Sequence, residues 1–112
     1  MYMAQVALYR RNFIRAWRKH RGLTLEQLAE RVTTFGVETT HASLSRIERS
    51  LQPYNQPLLE AIADALRTDA ASLLMRNPLD PDAIWTIWDQ AKPAERDLIR
   101  DMATTILKRR AG

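Results

Sequence analysis

A short segment of the chain, residues 40–49, gathers hydrogen-bond donors on one helical face. Four of its positions share that face by spacings of three and four residues: His41, Ala42, Ser45 and Arg46. Leu44 and Ile47 point the opposite way and can anchor the segment to a core. Because an arginine can donate to two acceptors at once, this face is suited to an acceptor-rich partner such as the edge of a base pair.

The same residue inventory argues against catalysis. The chain has two histidines, His20 and His41, three glycines and no cysteine. It contains neither an H-E-x-x-H zinc motif nor a phosphate-cradling glycine loop, and its carboxylates are scattered over expected solvent-facing positions. The lack of cysteine also excludes a disulfide framework and a cysteine-based metal site. We therefore expect a protein that is not an enzyme and uses no cofactor or metal.

Charge is distributed unevenly along the 112 residues. Residues 1–50 hold nine lysines and arginines against four acidic residues, residues 51–107 hold five against nine, and the tail is Lys108-Arg109-Arg110. A basic first half favours DNA through phosphate neutralisation, although a solvated arginine surface would have the same composition. No apolar run approaches the roughly 18 residues of a membrane span, and no secretory signal is evident. We expect a cytoplasmic protein with no membrane partner.

Apolar residues recur at spacings of three and four almost throughout, which predicts an all-α protein. Local signals mark the expected helix starts: Asn12, the T-x-x-Q capping box of Thr24 and Gln27, Thr40, Pro57, Asp69, Asp80 and Pro93. Gly22 is expected to end the first helix. The predicted fold is a five-helix bundle followed by two additional C-terminal helices.

The helices group into four expected segments. These are an N-terminal extension (1–11), a five-helix domain (12–76), a linker rich in proline and aspartate (77–82) and a C-terminal helical segment (83–112). Gln5 to Tyr9 forms either a short strand or part of a longer first helix. Thr33 to Thr39 is typical of a connection, so either the second helix runs longer than usual or a loop bulges outward.

Three stretches of this pattern carry a family resemblance. RKHRGLTLEQLAERV, TTHASLSRIERS and PLLEAIADALRTDAASLL together are similar to the Xre/Cro-like, or lambda-repressor-like, helix-turn-helix domain of phage and bacterial regulators. The likeness covers about residues 12–76. It implies a sequence-specific regulator of transcription that binds double-stranded DNA, with repression as the expected effect.

The resemblance implies that the helix Thr40–Arg49 enters the major groove. The base-reading candidates are then His41, Ala42, Ser45 and Arg46, and Arg46 is the first choice for contacting guanine. The phosphate-contact candidates are Thr40, Ser43, Arg49, Asn55, Arg15 and Lys19. The alternatives are an ordinary surface histidine at position 41 and an ion pair between Arg46 and Glu26.

The sequence matches the family pattern at one further pair of positions and departs from it at two places. Arg18 and Glu48 occupy positions that form an internal ion pair in the family, and the alternative is two solvated charges. The turn between the two motif helices, Thr33 to Thr39, is longer than the usual length of about 3–4 residues. Leu25 stands where the family often has a phosphate-bonding glutamine, so that contact is not expected here.

The resemblance also implies a homodimer on an inverted repeat of DNA. The expected dimer contacts are Trp85, Trp88, Met102 and Ile106, because tryptophan and methionine are favoured at interface cores. The alternative is that these side chains form a purely intramolecular cap. A second class of function is an interaction module, such as an antitoxin, whose C-terminal helices bind a partner protein. Co-purification of a partner would separate the two classes.

Overall fold

The computed structural model describes residues 6–111, and within them it contains seven α-helices and no strand. The helices are α1 Ile14–His20, α2 Leu25–Thr34, α3 His41–Glu48, α4 Gln56–Ala65, α5 Ala70–Met75, α6 Ile84–Gln90 and α7 Pro93–Ala111. The predicted all-α fold of five helices plus two is therefore confirmed. None of the helices in the described range has the length and apolar character that crossing a membrane requires.

The backbone divides into two compact units, Met1–Leu79 (unit 1) and Asp80–Gly112 (unit 2). The sequence left two alternatives for Gln5 to Tyr9, a short strand or part of a longer first helix. Gln5 lies outside the described residues, and residues 6–13 form neither helix nor strand.

Three of the side-chain caps in unit 1 lie at the predicted residues. Thr24 accepts a hydrogen bond from the amide of Gln27 at 3.1 Å, and Gln27 Oε1 accepts one from the amide of Thr24 at 2.9 Å. Thr40 and Asp69 each accept from the amide three residues later, at 3.1 and 2.7 Å. These bonds satisfy amides that the first turn of a helix leaves without partners.

Two predicted caps differ from the structure. Helix α6 begins at Ile84 without a side-chain cap, and the Asp80 carboxylate instead accepts a hydrogen bond from the amide of Asp82 at 3.0 Å. Aspartate closes such a local turn readily, so assigning Asp80 as a cap was wrong. Asn12 lies one residue before the cap position of α1, but it still accepts from the amide of Ile14 at 3.0 Å.

The long connection between α2 and α3 is partly helical. Thr33 and Thr34 extend α2, and their hydroxyls donate to carbonyls four residues earlier, each at 3.0 Å. Gly36 ends the helix with φ of +94°. The alternative of a longer second helix thus accounts for two of the seven residues, and the loop itself is short.

Helices α1 to α4 all end in the same reversing turn, with a left-handed residue two positions after the last helical one. These left-handed residues are Gly22, Gly36, Ser50 and Arg67, with φ of +69°, +94°, +60° and +55°. Glycine adopts this conformation without strain, whereas a residue with a Cβ does not. The turn at Ser50 reverses the chain after α3 and returns the following residues along that helix.

The apolar core lies within unit 1. Its completely buried large side chains are Ile14, Leu28, Val32, Leu44, Ile47, Ile62, Leu66 and Leu73. Trp17 joins α1 to α5, because its indole Nε1 donates to the carbonyls of Ser72 and Arg76 at 3.1 and 3.0 Å. Arg21 stacks over the Trp17 ring and donates to the carbonyl of Leu66 at 2.7 Å, so α1 is also joined to the end of α4.

Candidate nucleic-acid interface

Helix α3 exposes the four base-reading candidates to different degrees. Its inner side is fixed by Leu44 and Ile47, which are completely buried. His41, Ala42 and Arg46 are exposed, and Ser45 is half-buried. The described structure therefore brings these side chains together on the side of α3 that faces away from the core.

A side-chain network orders the middle of this face. Gln52 Oε1 accepts a hydrogen bond from Arg46 Nε at 2.8 Å, and Gln52 Nε2 donates to the Ser43 hydroxyl at 2.6 Å. The amide of Gln52 is thus oriented from both ends. Because only Nε of the Arg46 guanidinium is used, its two terminal nitrogens can still donate to acceptors beyond the surface.

Glu26 approaches His41 rather than Arg46. The distance from His41 Nδ1 to Glu26 Oε1 is 3.9 Å, and both side chains are well exposed. A contact of this length in solvent contributes little when it is charged, and it is charged only when the histidine is protonated. His41 therefore remains available to an incoming ligand.

Behind this face, Arg18 and Glu48 tie α1 to the end of α3. Arg18 Nε and Nη2 donate to the two Glu48 oxygens at 2.7 and 3.1 Å, and Nη1 donates to the carbonyl of Leu23 at 3.0 Å. The two side chains are 13% and 4% exposed. The hydrogen bond to Glu48 raises the pKa of the Arg18 guanidinium above its ordinary value. The guanidinium therefore keeps its charge, and its two hydrogen bonds to Glu48 brace the helix from behind.

The segment before α1 lies along the C-terminal end of α3. Asn12 Nδ2 donates to the carbonyl of Ile47 at 3.0 Å, and the carbonyl of Ser50 accepts from the amides of Leu8 and Tyr9 at 2.9 and 3.1 Å. The Ser50 hydroxyl donates to the carbonyl of Arg10 at 3.2 Å. These bonds satisfy groups at the helix end that the core cannot reach.

The remaining phosphate candidates divide between the two ends of α3. Near its C-terminal end, the exposed Arg15 and Lys19 line a surface depression together with Glu48. Arg49 lies one residue beyond the helix, where its Nε donates to the carbonyl of Ser45 at 3.3 Å.

Two candidates are helix caps. Thr40 starts α3, and its hydroxyl keeps a hydrogen to donate after accepting from the backbone. Asn55 caps α4 through its Oδ1, which accepts from the amide of Leu58 at 2.9 Å and leaves its NH2 group directed elsewhere. Both residues therefore combine a structural bond with a spare donor at the surface.

Gln52 and Arg21 are the residues that sequence reasoning missed. Gln52 lies in a polar loop, and its position beside Ser43 and Arg46 depends on the reversing turn at Ser50. A serine at a left-handed position carries no sequence signal comparable to glycine. Arg21 follows a run of three basic residues, which gives no indication that it would bond to the end of α4.

Comparison with known proteins identifies the fold family of this arrangement. A family model described as a helix-turn-helix domain matches residues 11–74, which is more than half of the chain. Neither the curated proteins nor the solved structures give a significant match. The matched range includes the capped α2 and α3 helices, and it is consistent with the Xre and lambda-repressor-like resemblance. The chain therefore belongs to the helix-turn-helix domain family.

Proposed function

We propose that this protein is a sequence-specific transcriptional regulator, acting as a repressor, that reads the major groove of double-stranded DNA with α3. Membership of a DNA-binding family supports binding of DNA in general. The single observation that carries the choice of surface is the outward face of α3, where an arginine is held in place by a neighbouring amide. No catalytic step is part of this proposal.

Arg46 is the proposed guanine reader. Gln52 occupies its Nε, so the guanidinium is presented to the groove through its two terminal nitrogens, which match the O6 and N7 acceptors of guanine. Restricting the side chain in advance lowers the entropy lost on binding. His41, Ala42 and Ser45 lie beside it and contact neighbouring base edges.

Phosphate contacts surround this reading surface. The neutral donors proposed for this role are Thr40, Ser43 and Asn55, and the cations are Arg49, Arg15 and Lys19. Each phosphate that a cation neutralises contributes about −0.9 to the slope of log affinity against log salt concentration. Binding should therefore weaken steeply as salt increases, and a slope near zero would contradict nucleic acid as the ligand.

The proposed binding unit is a homodimer on an inverted repeat, since one helix-turn-helix contacts only a few base pairs. Unit 2, which supplies the C-terminal helical segment, carries exposed Trp85, Met102 and Ile106 that support a role in contact with another chain. The same exposed side chains favour a second candidate function, in which unit 2 binds a different protein, as an antitoxin does. The two functions are compatible within one molecule.

Selection of bound sequences from a random duplex pool tests the proposal directly. The expected result is enrichment of one inverted repeat by the natural chain. The matched control is Arg46→Ala, which should enrich sequences that vary at one position of each half-site. If the natural chain enriches nothing, the DNA-reading proposal fails and the partner-binding function becomes the better one.

A further inference from the structure

Helix α7 carries an apolar row that its own unit leaves uncovered. Leu98, Met102 and Ile106 follow one another at spacings of four and are 63%, 65% and 58% exposed. Side chains at this spacing lie along one side of a helix. The row runs over about two turns, which is long enough to pack against a second helix.

The opposite side of α7 contacts α6 only in the first two turns, and residues 101–110 are exposed on every side of the helix. The guanidinium carbons of Arg96 and Arg100 each lie 5.4 Å from the centre of the Trp88 ring, and Arg96 Nε donates to the Trp88 carbonyl at 2.9 Å. At about 100° per residue, Leu98 and Met102 point away from these two arginines. Trp88 is therefore half-buried against the start of α7, and the apolar row lies on the other side of that helix.

Charge along α7 changes sign from one end to the other. The acidic residues Glu95, Asp97 and Asp101 lie in its first half, and the last turn holds Lys108, Arg109 and Arg110. Asp97 and Arg100 pair with each other at 3.0 Å, which leaves Glu95 and Asp101 against Arg96, whose Nε donates to the Trp88 carbonyl. The helix thus has an acidic half and a basic end, with the apolar row between them.

Such a helix is complementary to a reversed copy of itself. We propose that α7 pairs with α7 of a second copy of this chain in antiparallel orientation, with Met102 near the two-fold axis. This pairing places the acidic half of each helix beside the basic end of the other, whereas a parallel pairing would bring the basic ends together. Leu98 then lies opposite the partner's Ile106. The inference rests on the proposed dimeric regulator and names the surface and orientation of its dimer contact.

The lack of cysteine in the natural chain allows a direct test. Single variants Met102→Cys, Leu98→Cys and Ile106→Cys are oxidised mildly, and covalent dimers are measured on a non-reducing gel. A residue near a two-fold axis meets its own copy, so Met102→Cys should form dimers rapidly. Leu98→Cys and Ile106→Cys should form few dimers alone, but an equal mixture of the two should form mixed dimers.

The control is Thr104→Cys, which lies on the same helix about half a turn round from Met102 and is also exposed. Thr104→Cys should form few covalent dimers. If Leu98→Cys, Met102→Cys and Ile106→Cys each form dimers alone and equally well, the pairing is parallel and the proposal is wrong. If none exceeds the control, α7 is covered by its own chain or by a different protein, and the proposal is also wrong.

Charge exchange gives an independent readout of orientation. Glu95→Arg and Arg109→Glu should each raise the dissociation constant of the dimer several-fold in sedimentation equilibrium, and the two together should return it toward the natural value. If the two changes are additive, the acidic half and the basic end do not meet. Duplex binding by reduced Met102→Cys is measured in parallel. Dimers without DNA binding would refute the proposed function alone, and DNA binding without the expected cross-links would refute this inference alone.

Discussion

The two units of this protein differ in how far they bury their large apolar side chains. Unit 1 buries Leu44 completely at the centre of its core, whereas unit 2 leaves Met102 on α7 almost two-thirds exposed. Full burial of a side chain of this size is worth about 1.5–3 kcal/mol. Burial of Leu44 therefore stabilises unit 1, whereas the exposed Met102 gives unit 2 no such stabilisation. The difference shows that the apolar core of this chain lies in unit 1, and it supports the proposal that the exposed row of unit 2 contacts a second copy.

Ending the chain at Asn77 tests the comparison most severely. The shortened chain keeps every residue of the buried core, so it should unfold cooperatively at nearly the same temperature as the natural chain. It should also lose dimerisation, because the exposed row of α7 is gone. Sedimentation and thermal unfolding measured together would check both statements. If the shortened chain is as dimeric as the natural one, the contact lies in unit 1.

The ion pairs of the two units should differ strongly in energy. Arg18→Met leaves the almost buried Glu48 side chain without its partner, which should lower the free energy of unfolding by roughly 3–5 kcal/mol. Asp97→Asn in unit 2 is the matched control, because its pair with Arg100 is exposed and worth at most about 1 kcal/mol. Denaturant unfolding measures both variants.

A double-mutant cycle sharpens this prediction. Replacing Arg18 and Glu48 together by apolar residues removes both charges at once, so the double variant should recover part of the lost stability. Purely additive losses would show that the two side chains do not interact in solution.

Arg46→Ala should alter DNA reading with little effect on the fold, because the side chain lies on the surface of unit 1. The expected loss is about 1–3 kcal/mol on the preferred duplex. Affinity for a scrambled duplex should fall much less, so the two affinities converge. Gln52→Ala keeps the arginine but removes its support, and it should lose a smaller part of the same discrimination. An equal loss on both duplexes would identify Arg46 as a phosphate contact.

Asp69 should make a pH-dependent contribution to the free energy of unfolding of unit 1. Helix α6 has no side-chain cap and should make no such contribution. Hydrogen bonds from Ser72 lower the pKa of the Asp69 carboxyl. A lowered folded-state pKa adds stability above the ordinary pKa of aspartate, and this stability is lost as pH falls through the folded-state value. Asp69→Ala should cost about 1 kcal/mol at neutral pH. Asp69→Asn keeps an uncharged cap, so its deficit should shrink as the solution is acidified in denaturant titrations. A constant deficit would contradict the charge contribution.

The smallest expected effect is a gain. Arg67 is exposed and has φ of +55° in the turn after α4. Arg67→Gly relieves this strain, and the expected gain in the free energy of unfolding is about 0.5–1 kcal/mol. Ser50→Gly is the comparison, because Ser50 has a similar φ but is buried and bonded to Arg10. It should gain less or lose stability in the same denaturant titration.

The sequence alone predicted the structure correctly where it depends on interactions between residues close together in the chain. The caps at Thr24, Thr40 and Asp69 depend on bonds between residues three positions apart, so residue type and spacing identify them. The α-helical fold and its helix-turn-helix core follow from the same periodic pattern and from the family resemblance.

The sequence did not predict the role of a side chain where that role depends on a distant segment or on a turn that reverses the chain. The role of Gln52 depends on the left-handed turn at Ser50, and that of Arg21 on the end of α4 far along the chain. Asp80 failed as a predicted cap because two local hydrogen-bonding options competed, and residue type does not rank them. Which side of the start of α7 contacts α6 depends on the position of Trp88, since the apolar pattern of α7 allows more than one inner face.

The indole of Trp17 has a consequence for synthesis of the chain on the ribosome. Its two carbonyl acceptors lie 55 and 59 residues later in the sequence. At translation rates of about 5–20 residues per second, α1 waits roughly 3–12 s before those acceptors have been made. During that interval Ile14 and Trp17 are exposed to solvent on the nascent chain. Slow codons between α1 and α5 would therefore lengthen this exposure.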